Sequence, residues 1–200
     1  MTEPVDWFRP TSGRVVGSLG LAAAAAVVAL AIVDWSGSAS LPTATAAALV
    51  GVLVWAAMLR PRVGLTGSNL VLRNMFETVH VPLAAIEQLV VRQFLAVRVG
   101  DRRFVSPALG HSMRSLMRSA SKERRGSGLR TPEKVTELKY ADLVEQQIRA
   151  AAEEARAVAG VALMSDDQLA LAAAVRRDRA WVELGLVVVL ALVFVLAIVL

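Results

Sequence analysis

Six arginines, Arg102, Arg103, Arg114, Arg118, Arg124 and Arg125, are the residues of this chain whose type and spacing point to a definite chemistry. A guanidinium stays charged at physiological pH, and beside a membrane each one attracts anionic headgroups by roughly 1 kcal/mol. Topology alone also places arginines next to a bilayer, and the sequence favours that plainer origin over a dedicated headgroup pocket. The remaining candidates reduce to structure. His80 and His111 fall on outward faces and read as solvated, and Asp166-Asp167 is the acidic first turn of a helix. The chain has no cysteine, which excludes disulfides, thiolate metal sites and a cysteine nucleophile; two distant histidines make a histidine metal site improbable. No Walker loop, dinucleotide fingerprint, zincin helix or nucleophile elbow is present. The expectation is a protein that is not an enzyme, with no catalytic residues, no metal and no cofactor. Nucleic acid is not an expected partner either, because the strands offer few aromatics on which bases could stack.

The elements that must carry these arginines begin in the bilayer. Of 200 residues, 56% are hydrophobic and mean hydropathy is +0.54, too apolar for a fully soluble protein. The excess sits in three stretches without Asp, Glu, Lys or Arg, residues 15–33, 41–59 and 184–200. At about 1.5 Å per residue each can cross a hydrocarbon core of about 30 Å, or nearly so. The sequence predicts a transmembrane hairpin over 15–59, turning at Ser36 to Ser40, and a third span over 181–200. Trp7, Trp35 and Trp181 flank the spans, as amphipathic rings do at headgroup level. Arg9 and Arg14, Arg60 and Arg62, and Arg176, Arg177 and Arg179 all flank one side. By the positive-inside rule the N-terminus (1–14) and residues 60–180 are expected in the cytoplasm, the C-terminus outside, and the protein in the cell (inner) membrane. A cleaved signal peptide is the competing reading of the first span, but its apolar run exceeds the usual 7 to 15 residues.

Between residues 60 and 120 the hydropathy changes to alternation. Val79, Val81 and Leu83 share one face, and Leu95, Val97 and Val99 another, opposite Phe94, Ala96 and Arg98. Turn chemistry separates them at Gly67-Ser68-Asn69, Asn74-Met75 and Gly100-Asp101. Leu70, Leu72, Val79, Val81, Leu95 and Val97 are the expected core. A helix starting at Ser106-Pro107, with Leu109, Met113, Leu116, Met117 and Ala120 in one stripe, is expected to cover the sheet through Leu116. Short strands closed by one helix directly after a membrane hairpin resemble the bacterial pleckstrin-homology-like (PH-like) domain of small actinobacterial membrane proteins. The resemblance covers 60 to about 120. It rests on Arg60-Pro61-Arg62-Val63, the strand and turn Gly67 to Asn74, and Val81-Pro82-Leu83-Ala84-Ala85-Ile86, where Leu83 stands in place of a frequent tryptophan. It implies a fold and a binding role, with no catalytic residues to carry over.

Residues 121–130 are polar and glycine-rich and read as a linker. Residues 131–180 are expected as a cytoplasmic helical arm. Its first helix starts at Thr131-Pro132-Glu133 with an apolar stripe of Tyr140, Val144, Ile148, Ala151, Ala155 and Val158. A second starts with a capping-box pattern at Ser165 and, with no breaker before the third span, can run unbroken from 166 to 200. Residues 60–130 hold 13 basic and 4 acidic groups, against 7 and 9 in 131–180. The overall expectation is an α+β membrane protein: an N-terminal hairpin, a small antiparallel PH-like domain, a helical arm and a C-terminal transmembrane helix. Its expected role is a protein- or lipid-surface-binding module, the alternative being an accessory subunit of a membrane transporter or cell-envelope complex. Expected partners are the lipid bilayer and either a protein partner or a second copy, met through 131–180 and the spans.

Overall fold

A computed structural model of the chain describes residues 4–9, 13–34, 40–92, 94–109 and 132–199, the side chains of 132–139 excepted. It is a mixed α+β structure that divides into two compact units. A sheet unit comprises Met1–Ser12, Arg62–Asn74 and Thr78–Asp178; a helical unit comprises Gly13–Pro61, Met75–Glu77 and Arg179–Leu200.

The helical unit contains α1 (Arg14–Val33), α2 (Ser40–Val54, continued by a π-helical turn at Trp55–Leu59) and α5 (Trp181–Val199). All three are long and apolar enough to cross a membrane. α2 packs against both α1 and α5. The α1–α2 contact is close because glycine lines it: a Cβ on Gly17 would lie 2.8 Å from the Met58 Cβ. Small residues let helix backbones approach closely in this way. A buried ion pair joins the end of α2 to the start of α5. Arg60 donates from Nε to Glu183 Oε1 at 2.8 Å and from Nη1 to the Met75 carbonyl at 2.9 Å.

The sheet unit has two antiparallel sheets. The larger runs in the order β1-β2-β3-β4-β8, from β1 (Asp6–Trp7), β2 (Arg62–Leu65), β3 (Asn69–Arg73), β4 (Glu77–Pro82) and β8 (Arg176–Arg179). The smaller runs β5-β6-β7, from Gln88–Val91, Leu95–Val99 and Arg102–Ser106. Alternation fixes which side chains turn inward. Leu70, Leu72, Val79, Val81, Leu95 and Val97, the six expected strand core residues, are all buried. Their companions include Leu89, Val91, Val99 and Phe104. The Gly100-Asp101 hairpin forms as expected, with Gly100 at φ +55°, a conformation glycine adopts without a Cβ clash. β1 lies so close to β2 that a Cβ on Gly64 would sit 2.6 Å from Val5 Cγ1.

The helix that covers these strands among the described residues is α3 (Pro132–Ala159). Ala141, Val144, Ile148 and Ala152 are buried in the same core as the strands, so its apolar stripe finds the sheet rather than standing as a separate arm. Val158 departs from the expected stripe and is 85% exposed, because it lies in the last turn of α3, past the contact. The expected helix over 107–120 with Leu116, and the linker 121–130, lie outside the described residues, apart from Pro107, Ala108 and Leu109, of which Ala108 and Leu109 are buried.

α3 also closes the outer edge of β5. Glu145 Oε2 accepts from the Val91 N–H at 3.1 Å, Arg149 Nη2 donates to the Leu89 carbonyl at 3.2 Å, and Arg156 Nη1 donates to the Ile86 carbonyl at 2.9 Å. Leu89 and Val91 point their backbone groups away from β6, so these side chains replace a missing strand and guard an edge that would otherwise invite pairing.

The expected continuous helix from 166 to 200 is corrected. The chain instead forms α4 (Asp166–Leu171), a 3-10 turn (Ala172–Ala174), β8, and only then α5. The break comes at Val175, which is extended (φ −65°, ψ 117°). A polar run of Arg176 to Arg179 gains backbone partners at the open edge of β4, an option local sequence does not reveal. Ser165 caps α4 as expected, accepting from the Gln168 N–H at 3.2 Å. The reciprocal half of the capping box shifts by one residue: Gln168 Oε1 accepts from the N–H of Met164 rather than of Ser165. Gln168 is itself buried, and its Nε2 donates to the carbonyls of Ala84 (3.1 Å) and Ile86 (3.2 Å). One side chain thereby ties α4 to the corner that follows β4.

Candidate functional site

The candidate site is the outer face of the three-stranded sheet, built by the register of β5, β6 and β7. Val90 pairs with Ala96 and Ala96 with Val105, giving an apolar row straight across the three strands. Gln88 pairs with Arg98 and Arg98 with Arg103, giving a polar, basic row beside it. Phe94 and Arg92, both exposed, lie at the β5–β6 turn. Alternation explains the arrangement: the inward partners of these residues are Leu89, Val91, Val97 and Phe104, which the core requires. Val90, Val105 and Phe94 keep 43%, 38% and 40% of their surface in solvent, so the face is apolar as well as charged.

Its electrostatics are one-sided. Among the described residues of β5, β6 and β7 there is no carboxylate. Arg98 and Arg103 stand directly opposite each other on neighbouring strands, an arrangement of like charges that costs about 0.2 to 1 kcal/mol. Glu87, just before β5, relieves part of it, with Oε2 at 3.9 Å from Arg98 Nε, a loose contact to a guanidinium that remains 57% exposed. A face that holds unfavourable like charges beside exposed aliphatic groups is complementary to an anionic, partly apolar surface.

Of the six arginines expected at a lipid contact, Arg102 and Arg103 are exposed on β7, while Arg114, Arg118, Arg124 and Arg125 lie outside the described residues. The structure does not bring Arg102 and Arg103 to one face, since they are consecutive in a strand; Arg103 joins the outer row and Arg102, paired with Val99, lies on the other side at the hairpin end. Arg92 and Arg98 belong to the face instead. The signal for Arg98 was present in the alternation that sets Phe94, Ala96 and Arg98 opposite Leu95, Val97 and Val99. What sequence alone withholds is the cross-strand register.

His80 is half-buried rather than fully solvated, with Nε2 3.5 Å from Asp178 Oδ2 on the neighbouring strand β8; His111 lies outside the described residues. Asp178 also accepts from Arg176 Nε at 2.8 Å. Arg177 sits over the Phe104 ring at 5.1 Å from its centroid. These contacts fasten β8 to the sheet unit. Among the described residues no group of three or more His, Asp or Glu is placed to hold a metal ion. In the helical unit, apolar grooves flank α1 and α2, one bordered by Leu186 and Trp55 and the other by Phe194 and Pro42, with almost no polar lining. No family model, curated protein or solved structure matches the chain.

Proposed function

We propose that this chain is a non-enzymatic integral membrane protein whose PH-like cytoplasmic unit is a surface-binding module, and that the outer face of β5–β7 is the part that meets anionic lipid headgroups. The observation that carries the reading is the pairing of a basic row through Arg98 and Arg103 with an apolar row through Val90, Ala96 and Val105 on one exposed face. Anionic headgroups satisfy the guanidinium groups, and the acyl boundary receives the aliphatic groups and Phe94. Three arginines, Arg92, Arg98 and Arg103, contribute about 3 kcal/mol of electrostatic attraction at roughly 1 kcal/mol each. What supports a PH-like unit is that the short antiparallel strands β2–β7 are covered by one helix, α3, which lies beyond the 60–120 stretch of the resemblance. The three apolar helices support membrane insertion, and the arginine flanks support a cytoplasmic N-terminus and sheet unit with an external C-terminus.

The test uses the full chain, which has no native cysteine, with a polarity-sensitive fluorophore on Gln88→Cys. In proteoliposomes containing anionic lipid the emission should shift to the blue relative to purely zwitterionic ones, and return as salt rises. The added pair Arg98→Gln and Arg103→Gln should abolish the shift. Emission that ignores lipid charge, salt and both substitutions rejects the lipid face.

A further inference from the structure

The last turn of α3 and its connection to α4 carry no charged side chain from Ala157 to Ser165 and are apolar up to Met164: Ala157, Val158, Ala159, Gly160, Val161, Ala162, Leu163 and Met164. A solvated connection of this kind is ordinarily polar. Here Val158, Leu163 and Met164 are exposed by 85%, 54% and 64%, and Leu169 of α4 adds 47% beside them in sequence. The loop is also held in a defined shape. Met164 has a positive φ of 61°, the one non-glycine residue to do so among the described residues, and its N–H is fixed by Gln168 Oε1, whose other end is anchored on Ala84 and Ile86. A long, soft methionine side chain is therefore presented outward on a backbone that the buried core over-determines.

The exposed charges that flank this segment in sequence have the opposite sign to those of the β5–β7 face. Glu153 and Glu154 on α3 and Asp166 and Asp167 on α4 are all exposed. Arg156, the one basic residue between Ala150 and Val175, turns its guanidinium inward to the Ile86 carbonyl. Asp166 and Asp167 have a local role in the first turn of α4, but Glu153 and Glu154 have none at a helix N-terminus. An anionic bilayer is repelled by this rim, so the loop does not share the occupant of the sheet face.

We infer that the segment 157–164, the last turn of α3 and the connection after it, forms with Leu169 a docking site for a partner protein, and that what it takes is a segment with apolar side chains rimmed by lysine or arginine. Apolar side chains at the centre supply burial and the acidic rim supplies orientation and exclusion of anionic surfaces. Preformed backbone at Met164 lowers the ordering cost of binding. The sheet unit then has two faces of different use, a basic one for lipid and an acidic-rimmed apolar one for protein; the second stands whether or not the first is correct.

The test places the photo-crosslinking residue p-benzoylphenylalanine at Ala162 of the full chain in membranes of its native cells. The expected result is one protein adduct whose cross-linked peptide contains lysine or arginine beside apolar residues. Its yield should fall about tenfold in Glu153→Lys, Glu154→Lys and again with raised salt. Leu163→Ser should lower it as well, and both variants should keep the thermal midpoint of the parent, which separates lost docking from lost folding. An adduct with lipid, with a second copy of this chain, or with a peptide lacking basic residues overturns the inference. So does the absence of any protein adduct, or a yield indifferent to the charge reversal.

Discussion

Replacing Gln168 with leucine removes the single polar side chain that ties α4 to the corner after β4. Leucine fills nearly the same volume, so the effect isolates the lost hydrogen bonds. Three partners are affected, the carbonyls of Ala84 and Ile86 and the N–H of Met164. Ile86 keeps Arg156, which leaves two groups without their partner. Each buried orphan costs about 1 to 3 kcal/mol, and part of the Met164 cost is returned by water at an exposed loop, so the expected loss is about 2 to 4 kcal/mol. At about 1.4 kcal/mol per factor of ten, this corresponds to a fall of about 30-fold to 1,000-fold in amide protection. Hydrogen exchange read on peptides spanning 83–87 and 163–170 of the full chain in detergent measures it directly. Gln168→Glu sharpens the argument through pH. Its carboxylate would face two carbonyl oxygens, so its folded pKa lies above the unfolded value of about 4.3. The folded state then binds the extra proton, and stability falls as pH rises. Protection factors in this variant should be nearer the parent at pH 5 than at pH 8. Protection within twofold of the parent for Gln168→Leu, or an equal loss at both pH values for Gln168→Glu, refutes the role of this side chain.

Glu145→Ala leaves the Val91 N–H facing α3 without its acceptor and should cost about 1 to 2 kcal/mol in denaturant unfolding, with the faster exchange confined to β5. Arg60→Met takes the guanidinium away from the Glu183 carboxylate and should destabilise the helical unit by about 3 kcal/mol, whereas Arg60→Met with Glu183→Leu recovers most of that loss; a thermal scan in detergent compares the two. Cysteine placed at Asp101 should be protected from an impermeant thiol reagent added to intact cells, and cysteine at Ser38 should react; the reverse pattern inverts the proposed orientation.

The strands that sequence reveals are those whose inward residues form an unbroken alternation, as in Leu70 and Leu72, Val79 and Val81, and Leu95 and Val97. Their periodicity is itself the physical cause of their burial, which is why it can be read without a structure. β1 and β8 have no such pattern. Asp6-Trp7 is two residues long, and Arg176-Arg177-Asp178-Arg179 reads as a charged flank of a membrane helix. Both become strands because an open sheet edge, supplied by residues far away in the chain, satisfies their backbone. The candidate face was legible in the same measure. Alternation sets Arg98 and Ala96 on the outer side, but their neighbours Arg103, Val90 and Val105 depend on the register of two hairpins. The buried use of Gln168 carries no sequence signal at all, since a helix-cap pattern accounts for it equally well.

The pairing of β1 with β2 imposes a parity rule on the chain. Asp6 faces Leu65 and Trp7 faces Gly64 within one sheet, so on the proposed topology both strands occupy the same aqueous compartment. Whatever happens between residues 7 and 62, the number of bilayer crossings there is even. α1 and α2 must therefore enter the membrane together or not at all; a single inserted span would leave β1 on the far side with no partner. On the proposed topology the sheet thus acts as a checksum on insertion, written at two paired positions 57 residues apart, Trp7 and Gly64. At about 5 to 20 residues per second of synthesis, β2 appears about 3 to 11 s after β1, and on the proposed topology the two-residue strand waits through that interval while the hairpin enters the bilayer. On that topology a chain with the wrong count cannot complete the larger sheet, and its β2 edge is left open to other pairing.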